Sequence, residues 1–91
     1  MKRYVIERDI PGVGNMNREQ LRNAAKTSCA ALAKLQGRVQ WEHSYVAGDK
    51  TFCIYLADGE ASIHEHALLS GFPANKITET RTVIDPTTSA G

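Results

Sequence analysis

A chain of 91 residues with a hydrophobic share of 42% and a charged share of 23% has the make-up of one ordinary folded domain, which excludes disordered, collagen-like and low-complexity classes. Eleven Lys and Arg against ten Asp and Glu leave a formal charge of +1, too weak a field to gather nucleic acid or an anionic membrane surface. Cys29 and Cys53 form no C-x-x-C pair, and no apolar stretch is long enough for a signal peptide or a membrane span, so reduced thiols and a cytoplasmic location are expected.

Residues 2–9 (KRYVIERD) centre on Tyr4, Val5 and Ile6 and read as a strand that Pro11, Gly12 and Gly14 stop. Asn17 followed by Gln20 has the form of a capping box, so a helix starts there. Leu21, Ala24, Ala25, Ser28, Leu32 and Leu35 recur at helical spacing, Cys29 is assigned to the core, and Gly37 ends the helix. Residues 39–47 and 50–57 form a hairpin about Gly48-Asp49. A two-residue turn pairs Tyr45 with Phe52, His43 with Ile54 and Trp41 with Leu56 on one face, expected to lie under the helices. Glu42, Ser44, Cys53 and Tyr55 then share the other face. A second helix fits residues 59–70, with Ile63, His66, Ala67, Leu69 and Ser70 on one side and Gly71-Phe72-Pro73 closing it. Residues 76–84 read as strand four, a polar run starts at Asp85, and the chain divides into one domain over 1–86 and a polar tail over 87–91.

The order βαββαβ defines an α+β, ferredoxin-like fold: a four-stranded antiparallel sheet with both helices on one face. The opposite face is left bare. A domain this short buries only about 60 to 70% of its unfolded surface, so a homodimer is expected, two open sheet faces packing together as a dimeric α/β barrel.

His43 and His66 are the first residues to weigh for chemistry. The assigned faces turn both imidazoles into the space between sheet and helices, where each could instead be a core His satisfied by one hydrogen bond. His64 diverges from His66 by about 200° around the helix and pairs more simply with Glu60, one turn back. Cys53 is a third donor or a small buried thiol, and strand parity puts it across the sheet from His43 unless a bulge intervenes. Glu42, Ser44 and Tyr55 would line a polar cavity inside a dimer barrel, with Glu7 or Arg8 beside them. Trp41, Tyr45 and Tyr55 are packing residues before they are a stacking platform. Neither a phosphate loop nor a G-x-S-x-G, H-E-x-x-H or paired C-x-x-C motif is present, so no nucleotide cofactor and no catalytic motif is read.

The segments V-I-E-R-D-I-P-G at 5–12, W-E-H-S-Y-V at 41–46, F-C-I-Y at 52–55, E-H-A at 65–67 and G-F-P-A-N-K-I at 71–77 resemble, in order and spacing, a family of small bacterial domains that includes nickel-binding proteins. The resemblance spans residues 3–86. It implies a ferredoxin-like subunit, a homodimer and divalent metal binding, with His43, Ser44, Cys53, Tyr55 and His66 as the matching positions, and it implies no reaction. Imidazole and thiolate are competent Ni²⁺ ligands, for which Zn²⁺ and Cu²⁺ would compete. His43 and His66, with Cys53 as third donor, are therefore the metal-ligand expectation. The rival expectation is a small dimeric enzyme in which His43 or His66 acts as acid or base on a small organic molecule beside Tyr45 or Tyr55. A purely structural dimer module predicts neither.

Overall fold

A computed structural model describes residues 1–90. Strands β1 (Lys2–Asp9), β2 (Val39–Val46), β3 (Lys50–Ala57) and β4 (Lys76–Glu79) form one antiparallel sheet in the spatial order β2-β3-β1-β4, and helices α1 (Arg18–Lys34) and α2 (Glu60–Ser70) are the two crossovers. This is the expected ferredoxin-like arrangement. Its core gathers Tyr4 and Ile6 from β1, Cys53, Tyr55 and Ala57 from β3, Leu35 after α1, Val39 and Ile63, with Ile77 of β4 packed against them.

The anticipated capping box starts α1. The Asn17 side chain accepts from the Gln20 amide at 2.8 Å, and the Gln20 side chain accepts from the Asn17 amide at 2.9 Å. Asn17→Ala removes one partner of this reciprocal pair and is expected to lower stability by about 1 kcal/mol, read from urea unfolding midpoints. Beyond Lys34 the chain leaves the helix through left-handed Gln36 and Gly37, while Gly71, at φ 79°, ends α2.

The hairpin turn holds Gly48 and Asp49 as expected, with the Ala47 amide bonded to Lys50 O at 2.8 Å. Tyr45 pairs with Phe52 and His43 with Ile54, but Trp41 pairs with Tyr55 and not with Leu56, because Glu42 is an extra residue forming a bulge in β2. Which face meets the helices is the reverse of expectation. Thr51, Cys53, Tyr55 and Ala57 are buried beneath them, whereas Phe52, Ile54 and Leu56 lie half-buried on the open face with Val5. Both faces of β3 are apolar, so alternation alone does not assign them. The partner strand decides: buried Tyr4, Ile6 and Arg8 stand opposite Tyr55, Cys53 and Thr51.

Two further expectations are corrected. Strand β4 ends at Glu79 instead of residue 84, since its partner β1 begins at Lys2, and the ladder closes with the Thr80 amide on Arg3 O. Pro86–Ala90 then forms a short 3₁₀ turn. Cys29 is exposed on α1, because the buried stripe runs through Ser28, Ala31 and Leu35. None of the helices among the described residues is long and apolar enough to cross a membrane.

Candidate functional site

The same alternation that buries Tyr4 and Ile6 carries Arg8 to the helix side of β1, where the residue is only 2% exposed. Its Nη1 donates to Pro73 O at 2.8 Å and more weakly to Phe72 O, both in the loop after α2. Its Nη2 lies 3.5 Å from His66 Nδ1. An arginine has only donors, so Nδ1 must accept and the imidazole proton sits on Nε2. That nitrogen faces Ser28 Oγ at 3.2 Å, and Ser28 Oγ is 3.4 Å from the Tyr55 hydroxyl. Four residues from β1, α1, β3 and α2 thus form one continuous buried polar chain.

Charge and burial set the state of this chain. Burial, reinforced by the adjacent Arg8 cation, lowers the His66 pKa from 6.5 to about 4, so the ring is neutral at neutral pH. Burial pushes the Tyr55 phenol upward, opposed by its hydrogen bond to Ser28 and by the nearby Arg8 charge, and it remains a protonated hydroxyl. The Tyr55 and Phe72 rings sit 5.8 and 5.9 Å from the guanidinium carbon and share in solvating it.

Arg8, Ser28 and Tyr55 form part of the wall of a cavity of about 490 Å³ between α1 and the sheet. The remaining lining is mostly apolar, from Val13 and Met16 in the loop after β1, Leu21 and Ala24 on α1, and Trp41 on β2. Ser44 and Cys53 also line it. The Ser44 hydroxyl accepts from the Trp41 indole at 2.9 Å and holds that ring against the cavity. The small side chains on the helix-facing side of β3 and α1 leave this space.

His43, Glu42 and Tyr45 do not belong to this cavity. They lie on the open face, His43 and Tyr45 through their pairing with Ile54 and Phe52, and there His43 stands edge-on to Tyr45 at 5.0 Å and Glu42 is held by Arg3 at 2.6 Å. His43 and His66 therefore do not converge: the sheet separates them. His66 shares the helix side with Cys53, Ser44 and Tyr55, while Cys53 lies across the sheet from His43 as strand parity predicts. His64 forms the expected surface pair with Glu60 at 3.6 Å. Of the polar chain, sequence reasoning places His66, and Ser28 as a stripe residue of α1, toward the sheet; it assigns Tyr55, with Arg8 beside it, to the open face, although Arg8 follows Tyr4 and Ile6 in strict alternation.

A family model described as nickel responsive protein SCO4226-like matches residues 4–80. The chain belongs to the SCO4226-like family. The crystal structure of SCO4226 from Streptomyces coelicolor A3(2) matches with a TM-score of 0.74 at 15% identity, over 90% of this chain and 99% of that one. At that identity the likeness shows the shared fold. No curated relative matches the sequence.

The buried donors of this SCO4226-like chain do not suit a divalent cation. Both nitrogens of His66 are engaged, and a dication bound there would lie against the Arg8 guanidinium. Cys53 Sγ is 3.4 Å from the Thr51 hydroxyl. Among the described residues, no three His, Cys, Asp or Glu side chains cluster closely enough to hold an ion.

Proposed function

We propose that this SCO4226-like chain binds a divalent transition metal, nickel in the first instance, as a cytoplasmic homodimer joined through the open sheet face, with His43 of each copy as a ligand. The observation that carries the reading is the exposed imidazole of His43 on that bare face, in a chain whose family is described as nickel responsive. The face is apolar where a partner would sit, through Val5, Phe52, Ile54 and Leu56, and in a two-fold contact a residue close to the axis meets its own copy. Two neutral imidazoles with water or a carboxylate form an acceptable Ni²⁺ set. Free thiols at Cys29 and Cys53 suit a reducing compartment.

Calorimetric titration of the untagged protein with Ni²⁺, with light scattering for mass, tests this. Wild type should bind Ni²⁺ as a dimer of the 10.0 kDa chain. His43→Ala should weaken binding at least tenfold and His64→Ala should leave it unchanged. Binding unaltered in His43→Ala overturns the ligand assignment. A Ni²⁺-loaded monomer overturns the shared site, and a wild type that ignores Ni²⁺ overturns the function.

A further inference from the structure

The cavity beneath α1 carries a charge that the protein does not neutralise. Arg8 is buried and no carboxylate lies within ion-pair distance of it among the described residues. Glu7 and Asp9, its chain neighbours, turn to the other side of β1, where both engage Lys50 at 3.2 and 3.5 Å. Backbone carbonyls, a neutral imidazole and two ring faces are what Arg8 has. A buried cation without a counter-ion is strongly destabilising. A chain that keeps one on the wall of a cavity has the machinery to take an anion there.

The rest of the cavity narrows the anion. Its walls are mostly apolar, the polar members besides Arg8 being Ser28, Ser44, Thr51, Tyr55 and Asp9, whose carboxylate is engaged by Lys50, and its volume of about 490 Å³ falls in the range of small-molecule sites, roughly 300 to 1,000 Å³. An inorganic anion would leave Val13, Met16, Leu21 and Trp41 unused, and a neutral apolar molecule would leave the guanidinium unpaired. We propose that this cavity binds an organic monocarboxylate with a compact apolar body, its carboxylate paired with Arg8 and hydrogen-bonded near the Ser28 and Tyr55 hydroxyls, its body against α1 and Trp41. Planar guanidinium and carboxylate match in two parallel hydrogen bonds, which gives the head group its orientation. His66 is a positioning residue: it holds Arg8 through Nδ1 and Ser28 through Nε2, and does not itself line the cavity. This site stands on the other face of the sheet from the metal reading and does not depend on it.

Trp41 is the single tryptophan and lines the cavity, so its fluorescence reports occupancy directly. The probes are octanoate, with 1-octanol as its neutral counterpart and inorganic phosphate as an anion without a body, all with chelator present to remove metal. Octanoate should change Trp41 emission saturably and bind at least tenfold more tightly than 1-octanol, with phosphate silent. Arg8→Met should abolish the preference for octanoate over 1-octanol, while circular dichroism remains that of the folded chain. Ala24→Phe, which fills the cavity from α1 and leaves Arg8 in place, should block octanoate in a folded protein and remains decisive if Arg8→Met does not fold. Equal binding of octanoate and 1-octanol, octanoate binding unchanged in Ala24→Phe, or no response to octanoate in wild type overturns the proposal. A phosphate response equal to that of octanoate overturns the apolar part of the ligand class.

Discussion

Thermal unfolding should show stability that is flat from alkaline pH down to about 6.5 and then falls steadily toward pH 4, well before the carboxylates titrate. The cause is His66, whose pKa drops from 6.5 to about 4 on folding. Above 6.5 neither state holds the proton and the shift has no effect. Between the two values the unfolded chain takes up a proton that the native state refuses, so unfolding gains about 1.4 kcal/mol per pH unit. The accumulated loss is on the order of 3 kcal/mol by pH 4, where it levels off. Protonation would put a cation on the nitrogen facing Arg8, which explains why the native state resists it. Glu42 and Glu65, held low by their hydrogen bonds to Arg3 and Arg38, begin to contribute only below about 4.5, the ordinary value from which they are lowered. His66→Gln, which can still accept from Arg8 and donate to Ser28, should flatten the curve between 6.5 and 4.5. A variant that keeps the wild-type slope would remove His66 as its source.

Gly14→Ala should meet the tightest steric clash of any glycine-to-alanine change among the described residues. A Cβ on Gly14 would lie 2.5 Å from Ala47 O and 2.9 Å from Gly48 Cα, in the β2–β3 turn, and no side chain can rotate to make room. The Gly14 amide also bonds Gly48 O at 2.8 Å, so relief of the clash means loss of that bond. Overpacking of this kind costs about 1 to 3 kcal/mol, and urea unfolding reads it. Gly48→Ala, with nothing within 4 Å of the added carbon, is the matched control and should stay within about 0.5 kcal/mol of wild type. The same substitution should change Trp41 emission, because Val13 and Met16, on either side of the pinned loop, form part of the cavity wall.

The element order, the capping box at Asn17 and the two-residue turn at Gly48-Asp49 were legible because each is a local signal: spacing, a cap, a turn dipeptide. The assignment of faces was not. Phe52, Ile54 and Leu56 are more apolar than Thr51, Cys53 and Tyr55, so a rule that sends the greasier face inward picks the wrong one in a sheet whose bare face is itself apolar. Arg8 is misplaced for the same reason: sequence reasoning sets it beside Tyr55 in a polar cavity on the open face, and its alternation with the buried Tyr4 and Ile6 puts it under the helices instead. Ser28 read as a stripe residue, and its bonds to His66 and Tyr55 depend on tertiary placement. The ligand expectation for His43 and His66 rested on their sharing a side, and the reversal of the sheet faces parted them: His43 keeps its expected place opposite Ile54, and the residue inserted in β2, Glu42, shifts only the pairing from Trp41 back.

That insertion leaves β2 in two phases. Val39 and Trp41 reach the helix side from odd positions, and Ser44 and Val46 reach it from even ones, with Glu42 taking up the difference. Because β2 is the outermost strand, only one ladder has to absorb the irregularity. Gaining or losing one residue between Trp41 and Ser44 would therefore readdress a whole stretch of side chains: the imidazole and its neighbours would trade the outer face for the cavity, or the indole would leave it. The spacing of this strand, as much as its residue types, determines which side of the molecule each group serves.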